Sequence, residues 1–267
     1  MHRRTTRALV LFKMVTRAIR AQGATAGMAR LWHGWGPNAG PETRTEPATS
    51  VTGHNVMPLE YHRRRDFTRT TEPKGNDVTE SSGAPRFVIQ EHDASSHHFD
   101  FRLEVDGVLK SWAVPRGPST DPSEKRLALP TEDHPLDYAD YEGVIPEGEY
   151  GAGTVLLWDT GPYRNLKEDD DGEPVPLSDQ LSDGHATVWL EGEKLRGGYA
   201  LVRVAEDEDE RWLLVKMADD EADARRRPVS TEPESVKSGR TLDEVAGEEA
   251  GGEAGENDGG ESGEHGR

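Results

Sequence analysis

Residues 92–107 read HDASSHHFDFRLEVDG, a stretch that crowds imidazole, carboxylate and guanidinium groups around an alternating apolar run of Phe99, Phe101, Leu103 and Val105. Such alternation marks a strand with one buried face. His98, Asp100 and Arg102 must then share the opposite face. Side chains two apart on a strand project in the same direction with Cβ atoms about 6–7 Å apart, a span that suits two ligands of one ion. His92 ends the preceding strand-like run and can reach the same ion. Two imidazoles and a carboxylate suit Mn, Fe or Zn and leave coordination positions open. The competing reading is a salt-bridged polar face in which Asp100 pairs with Arg102 and the histidines are merely exposed. His97 falls on the other side of the strand and is read as non-ligating.

Arg102, beside a carboxylate-bound cation, is placed to hold a phosphate oxygen through its planar donor fork. Arg116 and the pair Lys125-Arg126 follow, and the run EDHPLDY supplies Glu132, His134 and Tyr138. Each alone is more often surface decoration than chemistry. Together they are the cations and donors that an acidic chain needs to bind a polyanion. A rival use of the same residues is a two-histidine, one-carboxylate iron centre of the oxygenase type, built from His98, Asp100 and His134.

These side chains need a rigid frame. Val105-Asp106-Gly107-Val108 is a two-residue hairpin signal, because Asp-Gly tolerates the positive φ angles of a type I′ turn. Counting back from that turn pairs Val105 with Val108, Leu103 with Lys110, Phe101 with Trp112 and Phe99 with Val114 on a largely apolar face. The other face sets Arg102 against Ser111 and Asp100 against Ala113, so small side chains leave room beside the charged ones. Further strand-like runs are RFVIQEH, GTVLLWD, HATVWLEG, YALVRV and RWLLVKM, separated by Gly, Pro and acidic turns. The expected fold is mainly β, a compact antiparallel β-barrel with short flanking helices. Helices are expected in HPLDYADY, PLSDQLSD and DDEADARRR.

The chain has 267 residues, of which 33% are hydrophobic and 31% charged, so full ordering from end to end would be hard to sustain. The absence of cysteine removes disulfides, zinc–cysteine sites and thiol nucleophiles, and suits a reducing cytoplasm. No apolar run approaches the roughly 20 residues that span a bilayer. The net charge of −19 argues against nucleic-acid binding through the general field, so a polyanionic substrate needs a local cationic site. Because the acid is spread along the whole body, it reads as a solubility device for a salt-rich cytoplasm rather than as a surface for basic partners.

Residues 1–56 differ from the rest, holding eight Lys and Arg against two Asp and Glu. Their opening, MHRRTTRALVLFKMVTRAIRAQ, has the composition of a transit peptide or a membrane-surface helix. The composition changes abruptly near Met57, which points to a translation start there and to an extension, 1–56, that is disordered or artefactual. The body is expected over 57–246, followed by a disordered Gly/Glu tail over 247–267.

The segments FVIQEHDASSHHFDFRLEVDGVLKSWAVPRGPSTDP and EDHPLDYADYEGVIPEGEYGAGTV resemble the 3′-phosphoesterase module of bacterial DNA ligase D and its stand-alone relatives. YHRRRDFTRTTEP before them, and RWLLVKMADDEA and PESVKSGRTLDEVA after, extend the likeness over roughly residues 60–246. The resemblance implies a β-barrel enzyme that uses Mn²⁺, or another divalent transition metal, to heal DNA 3′ ends. It removes a 3′-terminal ribonucleoside and then the 3′-phosphate to leave a 3′-hydroxyl. By the same resemblance the metal ligands are His92, His98 and Asp100. The phosphate-side residues are Arg102, Arg126, His134 and Tyr138, with Gln90 and Glu132 in support, and Arg65, Asp66 and Glu72 match positions needed for activity. Arg116 stands where the family commonly has lysine, which keeps the charge and changes a point cation into a fork. Implied partners are DNA 3′ ends and separate ligase, polymerase and end-bridging polypeptides, with no membrane. A non-catalytic adaptor that only grips DNA ends is the remaining alternative.

Overall fold

The computed structural model describes residues 58–75, 83–206 and 209–253, and gives side chains as far as Glu248. The expected extension 1–56 and the greater part of the Gly/Glu tail lie outside the described residues.

Asp106 and Gly107 have φ angles of 50° and 82°, the positive pair that a type I′ turn demands. That turn joins two of nine strands: β1 (Arg86–Asp93), β2 (His97–Val105), β3 (Val108–Val114), β4 (Lys125–Pro130), β5 (Gly143–Ile145), β6 (Gly153–Asn165), β7 (His185–Glu191), β8 (Arg196–Ala205) and β9 (Arg211–Lys216). Antiparallel pairing runs β1-β2-β3-β4-β9-β8-β7-β6 and returns from β6 to β1, which closes an eight-stranded barrel. β5 pairs with β6. Closure gives each barrel strand a neighbour on both sides and so leaves no open edge in the ring.

The hairpin register matches the sequence expectation pair for pair, from Val105 opposite Val108 to Phe99 opposite Val114, with Arg102 opposite Ser111 and Asp100 opposite Ala113. A one-residue slip would have sent every phenylalanine outward. Instead Phe99, Phe101, Leu103, Val105, Trp112 and Val114 join Trp158, Tyr199 and Trp212 in the barrel interior. A second apolar cluster sits elsewhere: Tyr61, Val88, Leu109, Tyr138, Tyr141, Val155 and Leu157. By strand alternation Val88 and Leu109 belong to the outer face of β1 and β3, the face that carries Arg102 and Ser111. The polar site is therefore roofed by a small core of its own.

The helices are short: α1 (Leu59–Arg63), α2 (Leu177–Ser182), α3 (Pro228–Thr231) and α4 (Leu242–Glu253), with a 3-10 turn at Leu136–Asp140 behind Pro135. None of the described helices is long and apolar enough to cross a membrane. The helix expected in DDEADARRR does not form, and residues 219–227 are turns, a bend and irregular backbone. The Asp219 carboxylate accepts from the backbone N–H groups of Gly198 and Glu221, and that of Asp223 from the N–H of Arg225. Aspartates that bond their local backbone in this way favour turns over helix. β4 and β5 go beyond the expected strands. β4 buries only Ala128 and leaves Leu127 40% exposed, so its inward positions carry too little apolar residue to signal a strand in the sequence. α4 runs to Glu253, past the boundary expected at 246. Thr241 and Glu244 form a reciprocal capping box, and buried Val245 anchors the helix to the barrel interior.

Candidate active site

His92 on β1 and His98 on β2 face each other directly across the ladder, and Gln90 faces Asp100 in the same register. The two imidazole rings lie 4.9 Å apart, centre to centre. His92 Nε2 lies 2.9 Å from the carbonyl of Gly151, and His98 Nδ1 lies 2.7 Å from the carbonyl of Ser96. A carbonyl only accepts, so each of these nitrogens carries the proton. The lone pairs then belong to His92 Nδ1 and His98 Nε2, and these are the atoms that face Asp100, at 3.8 and 3.7 Å from its two oxygens.

One ligand atom from each of the three residues falls within 4.8 Å of the others. Ligands held about 2.0–2.2 Å from a common ion sit about 3 Å apart, so modest inward movement completes a shell. Burial pushes the His92 imidazole below its ordinary pKa, with Asp100 opposing that shift. The neutral ring is the form that binds metal. On donor chemistry, tautomer and spacing the three residues fit a divalent transition cation.

Behind Asp100 lies a buried guanidinium. Arg102 donates through Nη2 to Asp100 Oδ2 at 2.9 Å, through Nε to Gln90 Oε1 at 2.8 Å and through Nη1 to Ser111 Oγ at 2.8 Å. The Gln90 amide donates in turn to the carbonyls of Tyr138 and Tyr141. Gln90 therefore orients Arg102. Most of the donor fork expected to face phosphate is already bonded to protein, which leaves one Nη2 hydrogen beside the candidate ligands.

His134 is placed by a two-way backbone bridge to Leu109, at 2.8 and 3.0 Å. Its Nδ1 sits 2.9 Å from Arg102 Nη1 and 2.8 Å from the Glu132 carbonyl, while its Nε2 sits 3.4 Å from Arg65 Nη2. Complete burial, reinforced by the two guanidiniums, holds its pKa well below the ordinary histidine value. Both ring nitrogens are turned to these groups, and the group that could hold a metal ion contains His92 instead of His134. The iron-centre reading that needed His134 as a ligand is not assembled.

Arg65 donates to Glu72 at 2.8 Å and to Glu132 at 3.2 Å, and its guanidinium lies 3.8 Å above the Tyr61 ring. Glu72 is buried and also accepts from Thr70. The residues from 65 to 72 thus enter the site through one ion-pair relay. Asp66 stands apart from it. Its exposed carboxylate accepts from the amide and hydroxyl of Thr68 and shapes the turn that follows α1. Tyr138 is buried with its ring 4.7 Å from that of His134 and under the Arg102 guanidinium, and burial drives its pKa well above the phenol value. It remains a protonated donor.

Arg116 and Arg126 are not part of this network. They line a separate cleft with Ser119, Glu124, Arg226 and Arg227. Arg126 alternates with buried Ala128 on β4, so it points toward the barrel's interior side, opposite in sense to Arg102. Its Nη2 bonds Glu124 at 2.6 Å while its Nε is buried without a partner. Arg226 and Arg227 escaped the sequence reading because they sit in an expected helix far along the chain. Ser111 was placed by the hairpin count, but its bond to Arg102 was not foreseen. His97 turns away, as expected, and meets Glu91 at 2.8 Å.

Residues 90–203 match the family model described as the DNA ligase D 3′-phosphoesterase domain. The chain is 49% identical over 187 residues to a multifunctional non-homologous end joining protein LigD of Pseudomonas aeruginosa, covering 68% of this chain and 21% of that protein. It is 45% identical over 157 residues to the LigD of Mycobacterium tuberculosis and 42% identical over 159 residues to that of Mycolicibacterium smegmatis, covering 59% and 60% of this chain and 19% and 20% of those proteins. The chain thus spans about a fifth of the length of these relatives.

Proposed function

We propose that this chain, whose residues 90–203 match the DNA ligase D 3′-phosphoesterase domain, is a DNA 3′-end-healing phosphoesterase dependent on Mn²⁺. The reaction removes a 3′-terminal ribonucleoside and then the 3′-phosphate, leaving a 3′-hydroxyl for ligation during non-homologous end joining. The observation that carries this reading is the abutment of two unlike sets of groups. Two histidines with carbonyl-fixed tautomers and a carboxylate make a cation site, and a buried Arg102–His134–Arg65 stack lies directly behind it.

When bound at His92, His98 and Asp100, a divalent cation supplies Lewis-acid polarisation of a phosphoryl oxygen. The protein's own groups do the rest. Arg102 bridges metal ligand and histidine, and its remaining Nη2 hydrogen meets charge that builds on a non-bridging oxygen. His134 is neutral between two guanidiniums, and an arriving phosphate, a monoanion as the diester and up to a dianion as the terminal monoester, offsets that local field. The ring can then take up a proton and pass it to the leaving oxygen. Tyr138 donates from a phenol that stays protonated. Gln90, Glu72 and Glu132 hold the arginines in place, and Arg65 belongs to the anion site through His134. Asp66 acts through the backbone turn that carries Arg65.

The cleft of Arg116, Arg126, Arg226 and Arg227 takes a different part of the strand from the reacting phosphate. A chain of net charge −19 needs such local cationic spots to hold a polyanion.

The deciding experiment incubates the protein with a primer-template ending in a single 3′ ribonucleotide, with Mn²⁺ or with chelator, and resolves the products. Release of a nucleoside followed by phosphate, only with metal, is the expected result. Binding of the end without hydrolysis under any divalent metal would identify an adaptor instead.

A further inference from the structure

Tyr150 is 45% exposed, the one aromatic among the large hydrophobic side chains that the described residues leave open to solvent. Its position is fixed on three sides. The hydroxyl meets Arg64 Nη1 at 2.6 Å and Glu132 Oε2 at 3.3 Å, and the guanidiniums of Arg64 and Arg65 lie 4.8 and 5.6 Å from the ring centre. The next residue, Gly151, offers the carbonyl that sets the His92 tautomer. The turn carrying Tyr150 is tied to the segment after α1 by the Arg69–Glu149 ion pair at 2.9 Å. Glu132, which accepts from Tyr150, also accepts from Arg65, the neighbour of His134. An exposed ring is thus held between the metal ligands and the anion-binding stack, where neither set has any use for it as core.

A packed tyrosine needs no exposure, and a solvated surface tyrosine needs no clamp. An exposed flat ring braced by a cation at the rim of a phosphate site is a surface for stacking a nucleobase. We propose that Tyr150, backed by Arg64, stacks the base adjoining the scissile phosphate. The inference rests on the phosphoesterase reading and adds to it a subsite for the base. Stacking needs only a π face, so little preference among the four bases is expected.

The test compares wild type, Tyr150→Ala and Tyr150→Phe on two primer-templates that differ only in whether the 3′-terminal ribose carries a base or is abasic. On the base-bearing strand, Tyr150→Ala raises KM by about tenfold, the order of one base–aromatic stack, while Tyr150→Phe stays within about twofold. On the abasic strand the three proteins behave alike. An equal loss on both strands, or no loss on either, overturns the proposal. Fluorescence anisotropy with the same two strands in chelator reads the base preference without turnover. A protein that hydrolyses neither strand but still prefers the base through Tyr150 refutes the enzymatic reading and keeps the stacking subsite. Loss of the preference in wild type refutes the subsite alone.

Discussion

Arg102 Nη1 approaches His134 Nδ1 to 2.9 Å, although the same nitrogen lies 2.8 Å from the carbonyl of Glu132. The two contacts demand opposite things. With its proton on Nδ1 the ring satisfies Glu132 and accepts from Arg65 at Nε2, but it then faces Arg102 donor to donor. With its proton on Nε2 it accepts from Arg102 and faces Arg65 donor to donor. Neither tautomer satisfies both guanidiniums, a conflict that the proposed phosphate would relieve by accepting from them.

Replacing Arg102 separates these roles. Arg102→Gln should lower kcat by about 10²–10³, the cost of removing one donor from a charge-stabilising site. The His134 pKa should rise, since one of its two cationic neighbours is gone, while burial still holds it below the ordinary value. Ring-proton NMR titration of chelated protein measures the second effect. An unchanged His134 titration would show that the guanidinium does not set its charge. Arg102→Lys should not restore activity, because one ammonium cannot reach Asp100, Gln90, Ser111 and His134 together.

Asp100→Asn keeps an acceptor for Arg102 and removes the charge from the cation site. Mn²⁺ affinity, read by calorimetry, should fall by about 100-fold or more, since loss of a direct ligand exceeds the 10–100-fold typical of an outer partner. His98→Ala should do the same. Both variants should melt as cooperatively as wild type in chelator. Full activity in either variant would remove the three-residue ligand set from consideration.

The cleft of Arg116 and Arg126 makes a different demand. The double variant Arg116→Gln, Arg126→Gln should leave Mn²⁺ affinity unchanged and weaken strand binding. It should also reduce the slope of log affinity against log salt by about 1–2, one for each phosphate that is no longer neutralised. Titrations at several ionic strengths measure the slope. A fall in metal affinity with an unchanged slope would place these arginines with the ligands instead.

How much of this was legible in the sequence follows from the range of each interaction. Alternation between Phe99 and Val105, with Asp-Gly at 106–107, sets register locally, so the pairing of Arg102 with Ser111 and the shared face of His98 and Asp100 could be counted out. The candidate ligands His92, His98 and Asp100 all fall within one of the segments that carry the family likeness. What could not be read depends on contacts across the fold. Arg126 and Arg102 look alike as cations in a sequence, yet they point to opposite sides of the barrel wall, and only the β4–β9 pairing separates them. Tyr150 carries no pattern of its own, and its exposure appears once Arg64 and Glu132 meet it. Asp66 enters only through the family resemblance, and its carboxylate bonds the amide and hydroxyl of Thr68 in the turn after α1.

Glu142 shows how the C-terminal segment is fastened to the barrel. Its buried carboxylate accepts from Ser235, Ser238 and Arg240 and from the backbone N–H of Leu157 on β6. Burial alone would raise the pKa of Glu142, but these donors outweigh it and hold the carboxyl below its ordinary value. A carboxyl depressed in the folded state adds stability that is fully present above the unfolded value of about 4.3, and that stability is lost as pH falls through the lower folded value. Glu142→Gln should therefore cost about 1.5–3 kcal/mol at neutral pH, the range for hydrogen bonds to a charged group, and the difference from wild type should shrink as pH falls below the unfolded value of about 4.3, where the unfolded carboxyl takes up its proton before the native one. Denaturant unfolding at pH 7 and pH 3.5 measures both. A deficit that stays constant across that interval would mean that the contribution of Glu142 is shape rather than charge.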